Sequence, residues 1–363
     1  MTNKMSAVLL TGYGGLEKLE WRPDVPVPVP GENEVLIRVG GCGINNTDIN
    51  TRLGWYAKDV TAATSDATET ASEDAVGKAA WSGQALSFPR IQGADVCGEI
   101  VQAGSAVDAA RIGERVIVIP MQRFSEAVDA FDFWTLGADG DGGYAEYVKV
   151  RADQAITVNS DLSDIELASF PCAYSTAENL LTSAGLAGGE SVLITGASGG
   201  VGSAAVQLAR LRGAEVIAVA SSSKADRLRE IGASRVVHRE TPLRQALPEN
   251  CIDVVIDVVG GDEWPQLLEV LKRGGRYAVA GAIAGPIVEL DLRTLYLKDL
   301  SLYGRTVQHP DVFPRLVQYI EQGRLKPLIA ESYPLSRIRE AQTAFMQKRF
   351  IGKIVMYPVA AQA

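Results

Sequence analysis

The stretch 41–48 reads Gly-Cys-Gly-Ile-Asn-Asn-Thr-Asp, which brings a thiol, two carboxamides and a carboxylate into eight consecutive residues. It follows the apolar run 35–39, so we expect it to lie at the end of a strand. Thiolates and carboxylates are zinc ligands, whereas carboxamides and carboxylates can bind substrate or move protons without a metal. Glycine and asparagine are also typical of a tight turn. A metal site, a metal-free active site and a plain turn are all compatible with these residues taken alone.

Metal ligands are scarce in the rest of the chain. The cysteines are Cys42, Cys97, Cys172 and Cys251, with no Cys-x-x-Cys pair, and the two histidines are His238 and His309. This spacing argues against a disulfide framework and against a zinc ribbon. Nothing before residue 238 can offer an imidazole to a metal ion.

The composition is that of a soluble globular protein. The chain has 363 residues, of which 47% are apolar and 22% charged, with a formal net charge of −9. The length predicts two domains, and the acidic balance argues against nucleic acid or an anionic membrane as the main partner. No apolar run approaches the ~18–20 residues that span a bilayer, and the N-terminus lacks the apolar core of a signal peptide. We therefore expect a cytoplasmic protein.

A glycine-rich turn is the strongest motif. Residues 193–202 read Leu-Ile-Thr-Gly-Ala-Ser-Gly-Gly-Val-Gly, after a predicted strand and before a predicted helix. Glycines let the backbone approach a pyrophosphate, and the helix N-terminus offers free N–H groups and a positive dipole end. The motif predicts dinucleotide binding, although such a turn can also serve only to pack a helix on a strand.

Regular elements alternate around this turn. Short apolar runs at 7–10, 35–39, 98–101, 115–119 and 144–150 predict a β-rich first part. Strands are predicted at 191–195, 215–219, 235–237, 252–257, 276–280 and 300–304, with helices at 199–213, 224–231 and 263–271. Helices near 313–322 and 338–348 and a strand at 353–357 follow. The alternation in the second part predicts a parallel sheet with right-handed crossovers.

The end of the second strand of this unit predicts which nicotinamide cofactor binds. NAD-binding proteins usually have an acidic residue there for the ribose hydroxyls. This chain has three serines, 221–223, followed by Lys224. Hydroxyls and an ammonium suit an adenosine 2′-phosphate, so the sequence predicts NADPH. The same residues could also form a serine-rich helix N-cap with a solvated lysine, and both interpretations can hold together.

Several motifs in order resemble the medium-chain dehydrogenase/reductase superfamily, and within it the zinc-free, quinone-oxidoreductase-like branch. They are Gly-Ile-Asn-Asn-Thr-Asp at 43–48, Gly-Ala-Asp-Val-Cys-Gly-Glu at 93–99, Gly-Gly-Tyr-Ala-Glu-Tyr at 142–147, Tyr-Ser-Thr-Ala at 174–177, the glycine turn, Asp-Val-Val-Gly at 257–260 and Gly-Lys-Ile-Val at 352–355. The resemblance covers nearly the whole chain and is less specific for substrate than for fold.

The resemblance implies an α/β fold of two units. A GroES-like, β-rich catalytic domain would comprise residues 1–157 and a C-terminal segment, 307–363. A Rossmann NADP-binding domain with a doubly wound parallel sheet, 158–306, would be inserted between them. The family also implies a homodimer, with strand 301–305 pairing across the two-fold axis. The residues assigned to the cofactor are Thr176, Gly196, Ser198, Gly199, Gly200, Val201, Ser221, Ser222, Lys224, His238, Val259, Gly281 and Ala282.

The same resemblance implies that no metal is bound. Zinc-dependent relatives ligate the ion with a cysteine, the histidine of a Gly-His-Glu motif and a later cysteine. The matching positions here are Asn45, Ala94 (followed by Asp95) and Cys172. One ligand of three cannot hold zinc as a tetrahedral site does. Cys172 is then either a small buried residue beside the cleft or a reactive thiol.

Without a metal, side-chain donors must stabilise the charge that develops on a carbonyl oxygen. We assign Asn45 and Tyr56 to this role and Asp48 to orienting its neighbours. Asn45 could instead be a turn residue, and Tyr56 an interface aromatic. The predicted function is NADPH-dependent reduction, by hydride transfer, of a small-molecule substrate: a quinone or an α,β-unsaturated carbonyl compound. The alternatives are a zinc-type alcohol dehydrogenase with atypical ligands and a non-enzymatic NADPH-binding protein.

The segment 57–87 interrupts the pattern of the first part. It is rich in Ala, Ser, Thr, Asp and Glu, with Trp81 as its main apolar anchor. We expect either a mobile surface insertion or a lid over a substrate cleft.

Overall fold

The computed structural model of the chain describes residues 4–64, 85–123 and 133–359. Trp81 and most of the segment 57–87 lie outside these described residues, so the expectations for that segment stay predictions. The strands are β1 Lys4–Leu10, β2 Leu19–Pro26, β3 Glu34–Gly43, β4 Arg90–Ile91, β5 Asp95–Ala103, β6 Arg115–Val118, β7 Met121–Arg123, β8 Phe133–Thr135, β9 Tyr147–Arg151, β10 Ala155–Thr157, β11 Ser191–Ile194, β12 Glu215–Ala220, β13 Arg235–His238, β14 Ile252–Asp257, β15 Leu271–Val279, β16 Ser301–Gly304, β17 Ile329–Pro334 and β18 Lys353–Tyr357. The helices are α1 Asn46–Leu53, α2 Asp164–Leu167, α3 Pro171–Ser183, α4 Gly200–Leu211, α5 Ala225–Ile231, α6 Leu243–Ala246, α7 Trp264–Val270, α8 Leu292–Leu297, α9 Val312–Glu321 and α10 Ile338–Gln347.

The first part of the chain forms the β-rich unit that the short apolar runs predict. Its main sheet has the strand order β10-β6-β5-β3-β18-β17, with β9 also paired to β3, and a second sheet has the order β2-β1-β4. β3 and β5 pair antiparallel, and their apolar residues, such as Ile37 and Ile100, are fully buried. This sheet holds the strand-to-helix corner after β3 in a fixed place.

The second part is a six-stranded parallel sheet in the order β13-β12-β11-β14-β15-β16. Numbered from its own first strand, this is the 3-2-1-4-5-6 order of doubly wound dinucleotide-binding sheets, with the switch point between β11 and β14. The predicted fold class, a GroES-like β-rich domain plus a Rossmann sheet, is confirmed. In such sheets a ligand binds at the carboxyl ends of the strands beside the switch point.

The C-terminal part of the chain returns to the first sheet through β18, which pairs with β3 and with β17. Between the two units, α9 packs against α3. Phe313 and Leu316 of α9 are buried in the same apolar core as Val192 and Ile194 of β11. The chain therefore stays with the Rossmann core through α9 and re-enters the catalytic sheet at β17, beyond residue 307.

Among the helices in the described ranges, none combines the length and the apolar character needed to cross a lipid bilayer.

Candidate active site

The stretch 41–48 forms the corner between β3 and α1. Asn45 is the N-cap of α1, in an extended conformation (φ −127°, ψ 162°), and its backbone N–H donates to Asp48 Oδ2 at 2.8 Å. A Cβ atom at Gly43 would lie 2.7 Å from Asp95 Oδ2 and 2.8 Å from the Ala168 carbonyl oxygen, so only glycine fits there. The corner is thus a tight turn that also carries polar groups.

Asp48 is held inside this corner. It is 3% exposed, and its Oδ2 also accepts the Tyr144 hydroxyl at 2.8 Å. Burial raises the pKa of Asp48 to about 6, and the two donated hydrogen bonds oppose this rise. These contacts are those of a group that orients the turn.

A buried ion pair lies directly behind Asn45. The Lys353 ammonium, from the start of β18, donates to Asp95 Oδ2 at 2.7 Å, to Asn45 Oδ1 at 2.6 Å and to the Ile44 carbonyl at 2.8 Å. Asn45 Nδ2 donates to Asp95 Oδ2 at 2.8 Å and has a longer contact, 3.4 Å, with the Gly43 carbonyl. Asn45 therefore has one N–H firmly bound inside the protein and a second that is weakly bound.

Cys172 lies beside the same ion pair. Its backbone N–H donates to Asp95 Oδ1 at 2.5 Å. Burial, and next the charge of Asp95, raise the pKa of the Cys172 thiol, so the thiol stays protonated near neutral pH. Such a group is a poor metal ligand and a poor nucleophile. In the ranges that the structure describes, no group of three or more His, Cys, Asp or Glu residues could hold a metal ion.

Tyr56 and Thr47 form a second polar group in the same place. Burial raises the pKa of Tyr56, while Thr47 and Asn50 beside its hydroxyl lower it. Yet Thr47 Oγ1 and Asn50 Oδ1 are buried, and hydrogen-bonding geometry gives neither a partner among the described residues. Their contacts with the Tyr56 hydroxyl are therefore loose, and because buried polar atoms are normally well satisfied, two loosely bound oxygens beside one tyrosine hydroxyl indicate a place for a polar ligand. We did not predict Thr47; its position between Asn45 and Asp48 was the available signal.

The glycine turn lies at the carboxyl ends of the parallel strands. Gly196 has φ +54°, and Gly199 is the N-cap of α4. A Cβ atom at Gly202 would lie 2.2 Å from the Gly196 carbonyl oxygen, so α4 packs tightly against the turn. The methyl groups of Val258 and Val259, which follow β14, lie close beside Gly196.

The other residues predicted to bind the cofactor surround this turn. Gly281 and Ala282 follow β15 and approach the segment after β14, where Val259 lies. Thr176 lies on α3, beside the Cys172 thiol. His238 ends β13, in register with Ala220 of β12. The turn and these strand ends form one continuous edge.

Cations gather at the carboxyl end of β12, the second strand of the parallel sheet. The Lys224 ammonium, which follows Ser221 and Ser222, donates to Ser198 Oγ at 3.2 Å and to the Lys348 carbonyl at 2.7 Å. Burial, and next the charge of Arg239, lower the pKa of Lys224. Lys348 and Arg239 were not predicted from the sequence.

Lys348 reaches this place from the end of α10. Its ammonium donates to Asn46 Oδ1 at 2.8 Å and lies 3.5 Å from the centre of the Phe345 ring. The residue as a whole is exposed, but burial of its ammonium, and next the charges of Lys353 and Lys224, lower its pKa to about 7. The catalytic unit therefore adds a cation to the cofactor cleft.

The two units also touch at the mouth of the cleft. After Tyr56 the chain continues to Thr64, whose backbone N–H donates to the Ile283 carbonyl at 3.0 Å. Trp55 Nε1 donates to the Ala62 carbonyl at 2.9 Å, which holds this short segment against α1. The segment that follows Tyr56 thus bridges the two units.

Comparison with known proteins gives consistent matches over the whole chain. The alcohol dehydrogenase GroES-like domain family matches residues 31–160, and the zinc-binding dehydrogenase family matches residues 200–322. Quinone oxidoreductase of Mus musculus is 31% identical over 352 residues, which cover 93% of this chain and 92% of the relative.

Two solved structures extend these matches. A proposed alcohol dehydrogenase from Sinorhizobium meliloti 1021 is 48% identical, with a TM-score of 0.88 over 99% of this chain and 98% of that one. A cobalt- and zinc-bound thermostable alcohol dehydrogenase from Pyrobaculum aerophilum is 31% identical, with a TM-score of 0.81 over 98% of this chain and 99% of that one.

Proposed function

Since this chain belongs to the medium-chain dehydrogenase/reductase superfamily, among its quinone-oxidoreductase-like members, we propose that it reduces quinones or α,β-unsaturated carbonyl compounds with NADPH and without a metal ion. Membership makes it an oxidoreductase that uses a nicotinamide cofactor. The choice of NADPH, the absence of a metal and the substrate class are the proposal.

The cofactor cleft supports NADPH. The glycine turn and the N-terminus of α4 suit a pyrophosphate, because the backbone can approach it and the N–H groups of the first turn of a helix have no partner within the helix. At the adenosine end, Lys224 and Arg239 supply positive charge beside serine hydroxyls, and Lys348 approaches from α10 with its ammonium on Asn46 and its pKa lowered to about 7. Lys224 now donates to Ser198 and to a backbone carbonyl, and a 2′-phosphate would accept a further hydrogen bond from it. When bound, NADPH supplies the hydride.

The buried ammonium of Lys353 is the observation that carries the metal-free assignment. It lies 2.6 Å from Oδ1 of Asn45, which holds the first zinc-ligand position, and 2.7 Å from Oδ2 of Asp95, which follows the second. The same Asp95 carboxylate accepts the backbone N–H of Cys172, the third position. A divalent cation held there would be repelled by the ammonium. The protonated thiol of Cys172 would also have to lose its proton to bind a metal.

The protein's own donors would then stabilise the carbonyl oxygen as it gains negative charge. Thr47 Oγ1 lies beside the Tyr56 hydroxyl, and both hydroxyls can donate to an oxygen placed next to them. The second N–H of Asn45 is held only by the 3.4 Å contact with Gly43. Tyr56, with its pKa raised, stays protonated at neutral pH and can donate a proton to the reduced product. Asp48 keeps the turn in place.

We also propose a homodimer formed through β16. β16 is an edge strand of the parallel sheet, and Leu302 on it is 37% exposed. The neighbouring α8 exposes Leu292, Tyr296 and Leu297 by 59–64%. An unpaired edge strand beside exposed apolar side chains is favourable for pairing with a second copy.

A zinc-type alcohol dehydrogenase is the second candidate, because the relative from Pyrobaculum aerophilum is described as bound to cobalt and zinc. Metal analysis of the purified protein distinguishes the two. About one zinc per chain, together with alcohol oxidation that a chelator abolishes, would favour this second candidate.

The direct test is NADPH oxidation against a panel of quinones, enones, enals and enoyl thioesters, with alcohols in the reverse direction as the contrasting class. We expect turnover with at least one quinone or conjugated carbonyl and no loss of activity after chelator treatment. Turnover confined to alcohols, or the absence of turnover with the whole panel, would refute the proposal.

A further inference from the structure

Lys353 is saturated by contacts inside the protein. Its side chain is 3% exposed, and its ammonium donates to three oxygens: the Ile44 carbonyl, Asn45 Oδ1 and Asp95 Oδ2. An ammonium has three N–H groups, so none remains for a substrate. Any effect of Lys353 on the reaction therefore acts through a neighbour.

That neighbour is Asn45, whose amide is trapped between opposite charges. Its Oδ1 faces the Lys353 ammonium and its Nδ2 faces the Asp95 carboxylate, at 2.6 and 2.8 Å. Rotating the amide by 180° would set an N–H group against an ammonium and an oxygen against a carboxylate. Both contacts would then be repulsive, so the ion pair permits only one orientation.

The trapped orientation determines what Asn45 can offer. One of its N–H groups is used by Asp95, and the other has only the long contact with Gly43. The ammonium bound to Oδ1 draws electron density from the amide, which strengthens the remaining N–H as a donor. A reversed amide would offer an acceptor, which repels an oxyanion.

The stem of Lys353 lies on the cofactor side of the cleft. A Cβ atom at Gly200 would lie 2.9 Å from Lys353 Cδ, and the Gly352 N–H donates to the Ser198 carbonyl at 3.1 Å. One residue thus spans the distance from the glycine turn to the catalytic corner. Lys353 therefore links the position of Asn45 to that of the glycine turn.

We propose that Lys353 is a positioning residue that fixes and polarises the Asn45 amide, so that its second N–H is the donor to the substrate oxygen. This inference rests on the proposed function, because it assigns a role within the same site. Lys353 is then a buried charge whose effect on the reaction is transmitted only by the neutral side chain of Asn45.

A double-mutant cycle tests it, with the variants Lys353→Gln, Asn45→Ala and the pair. Glutamine can still donate to Asn45 and Asp95 but carries no charge, so it is gentler than Lys353→Met, which would leave Asp95 buried beside an apolar group. We expect Lys353→Gln to lower kcat about tenfold while the NADPH Kd changes less than about threefold. In the Asn45→Ala background, the same change should alter kcat by less than about twofold. Lys353→Arg, which keeps the charge, should recover part of the loss.

Equal losses of kcat from Lys353→Gln with and without Asn45 would overturn the inference, since the lysine would then act only through stability or another group. If the unaltered protein reduces nothing in the panel, the proposed function fails by itself. In that case the Asn45 side-chain amide, followed by NMR, still tests the positioning. Its exchange with solvent should quicken in Lys353→Gln, and unchanged exchange and chemical shifts would contradict the trapped orientation.

Discussion

Replacing Asp48 with asparagine should change how the stability of the fold depends on pH. Asp48 is 3% exposed, no cation among residues 4–64, 85–123 and 133–359 is hydrogen-bonded to it, and burial raises its pKa from 3.8 to about 6. Asparagine has almost the same shape, and its Oδ1 can accept from the Asn45 N–H and the Tyr144 hydroxyl as Asp48 Oδ2 does. The substitution therefore removes the titration while keeping the hydrogen bonds.

The raised pKa of Asp48 determines whether the free energy of unfolding rises or falls with pH. A raised folded-state pKa means that the fold favours the neutral carboxyl, so this stabilisation is complete below about pH 4 and is lost as the pH rises through about 6. A rise from 3.8 to about 6, at about 1.36 kcal/mol per pKa unit, corresponds to about 3 kcal/mol. The wild-type free energy of unfolding should thus fall by up to about 3 kcal/mol relative to Asp48→Asn between pH 4 and pH 7.

The assay is urea unfolding of both proteins at each pH from 4 to 8. Subtracting one curve from the other cancels the titrations that the two proteins share. Asp226→Asn is the matched control, because its carboxylate is 94% exposed, and its difference from wild type should be nearly flat. A flat difference for Asp48→Asn, or a wild type that gains relative stability as the pH rises, would refute the account of Asp48 given above.

Four further outcomes are expected. Thr47→Val and Tyr56→Phe should each lower kcat, by up to about 10²–10³ if the lost hydroxyl is an oxyanion donor, with little change in NADPH Kd; steady-state rates equal to wild type would remove that residue from the site. Ser221→Asp should weaken NADPH far more than NADH in a fluorescence titration, and tighter binding of NADH by the unaltered protein would reverse the cofactor assignment. Lys348→Met should raise the NADPH Kd and leave the NADH Kd nearly unchanged; equal effects on both would place Lys348 away from the 2′-phosphate. Leu302→Lys should convert a dimer to a monomer by light scattering, and an unchanged mass would place the interface elsewhere.

The strands with strong apolar runs were predictable. β14 and β18 begin and end where their patterns predict, because buried strands of a sheet need continuous apolar residues. β15 starts at Leu271 instead of 276, because Lys272 and Arg273 are charged and two glycines follow them, and such residues do not resemble a strand. The sequence does not predict β17, because none of its residues is buried and it has no apolar run.

Helices that begin at the site were harder to predict. α1 was taken for a turn, although Asn45 at the N-cap and Asp48 three residues later are a helix-start signal. α3 was missed despite Pro171 at its first turn, because its mixed apolar and small residues give no clear stripe. Both helices carry site residues, so the sequence predicts which residues form the active-site corner but not how their side chains are arranged.

Two of the site's cations, Lys353 and Lys348, could not be found by pattern. Lys353 was noticed only as part of a terminal motif, and its partners Ile44, Asn45 and Asp95 lie 258–309 positions earlier in the chain. Such a contact depends on the sheet order, which no local periodicity encodes. The cofactor residues near the glycine turn were accessible because their geometry is local.

The late position of β18 in the chain affects how the protein is made. On the ribosome, β3 and β5 emerge early, but the strand that lies beside β3 arrives only after the whole Rossmann unit. Until then Asp95 has no ammonium to neutralise it and must remain hydrated, because an unpaired carboxylate resists burial. The Rossmann unit can collapse on its own local contacts, while the catalytic sheet waits with an open edge beside β3. The active-site corner is thus completed only once β18 has been made, and a nascent chain that stops before β18 carries a nucleotide fold beside an unfinished sheet.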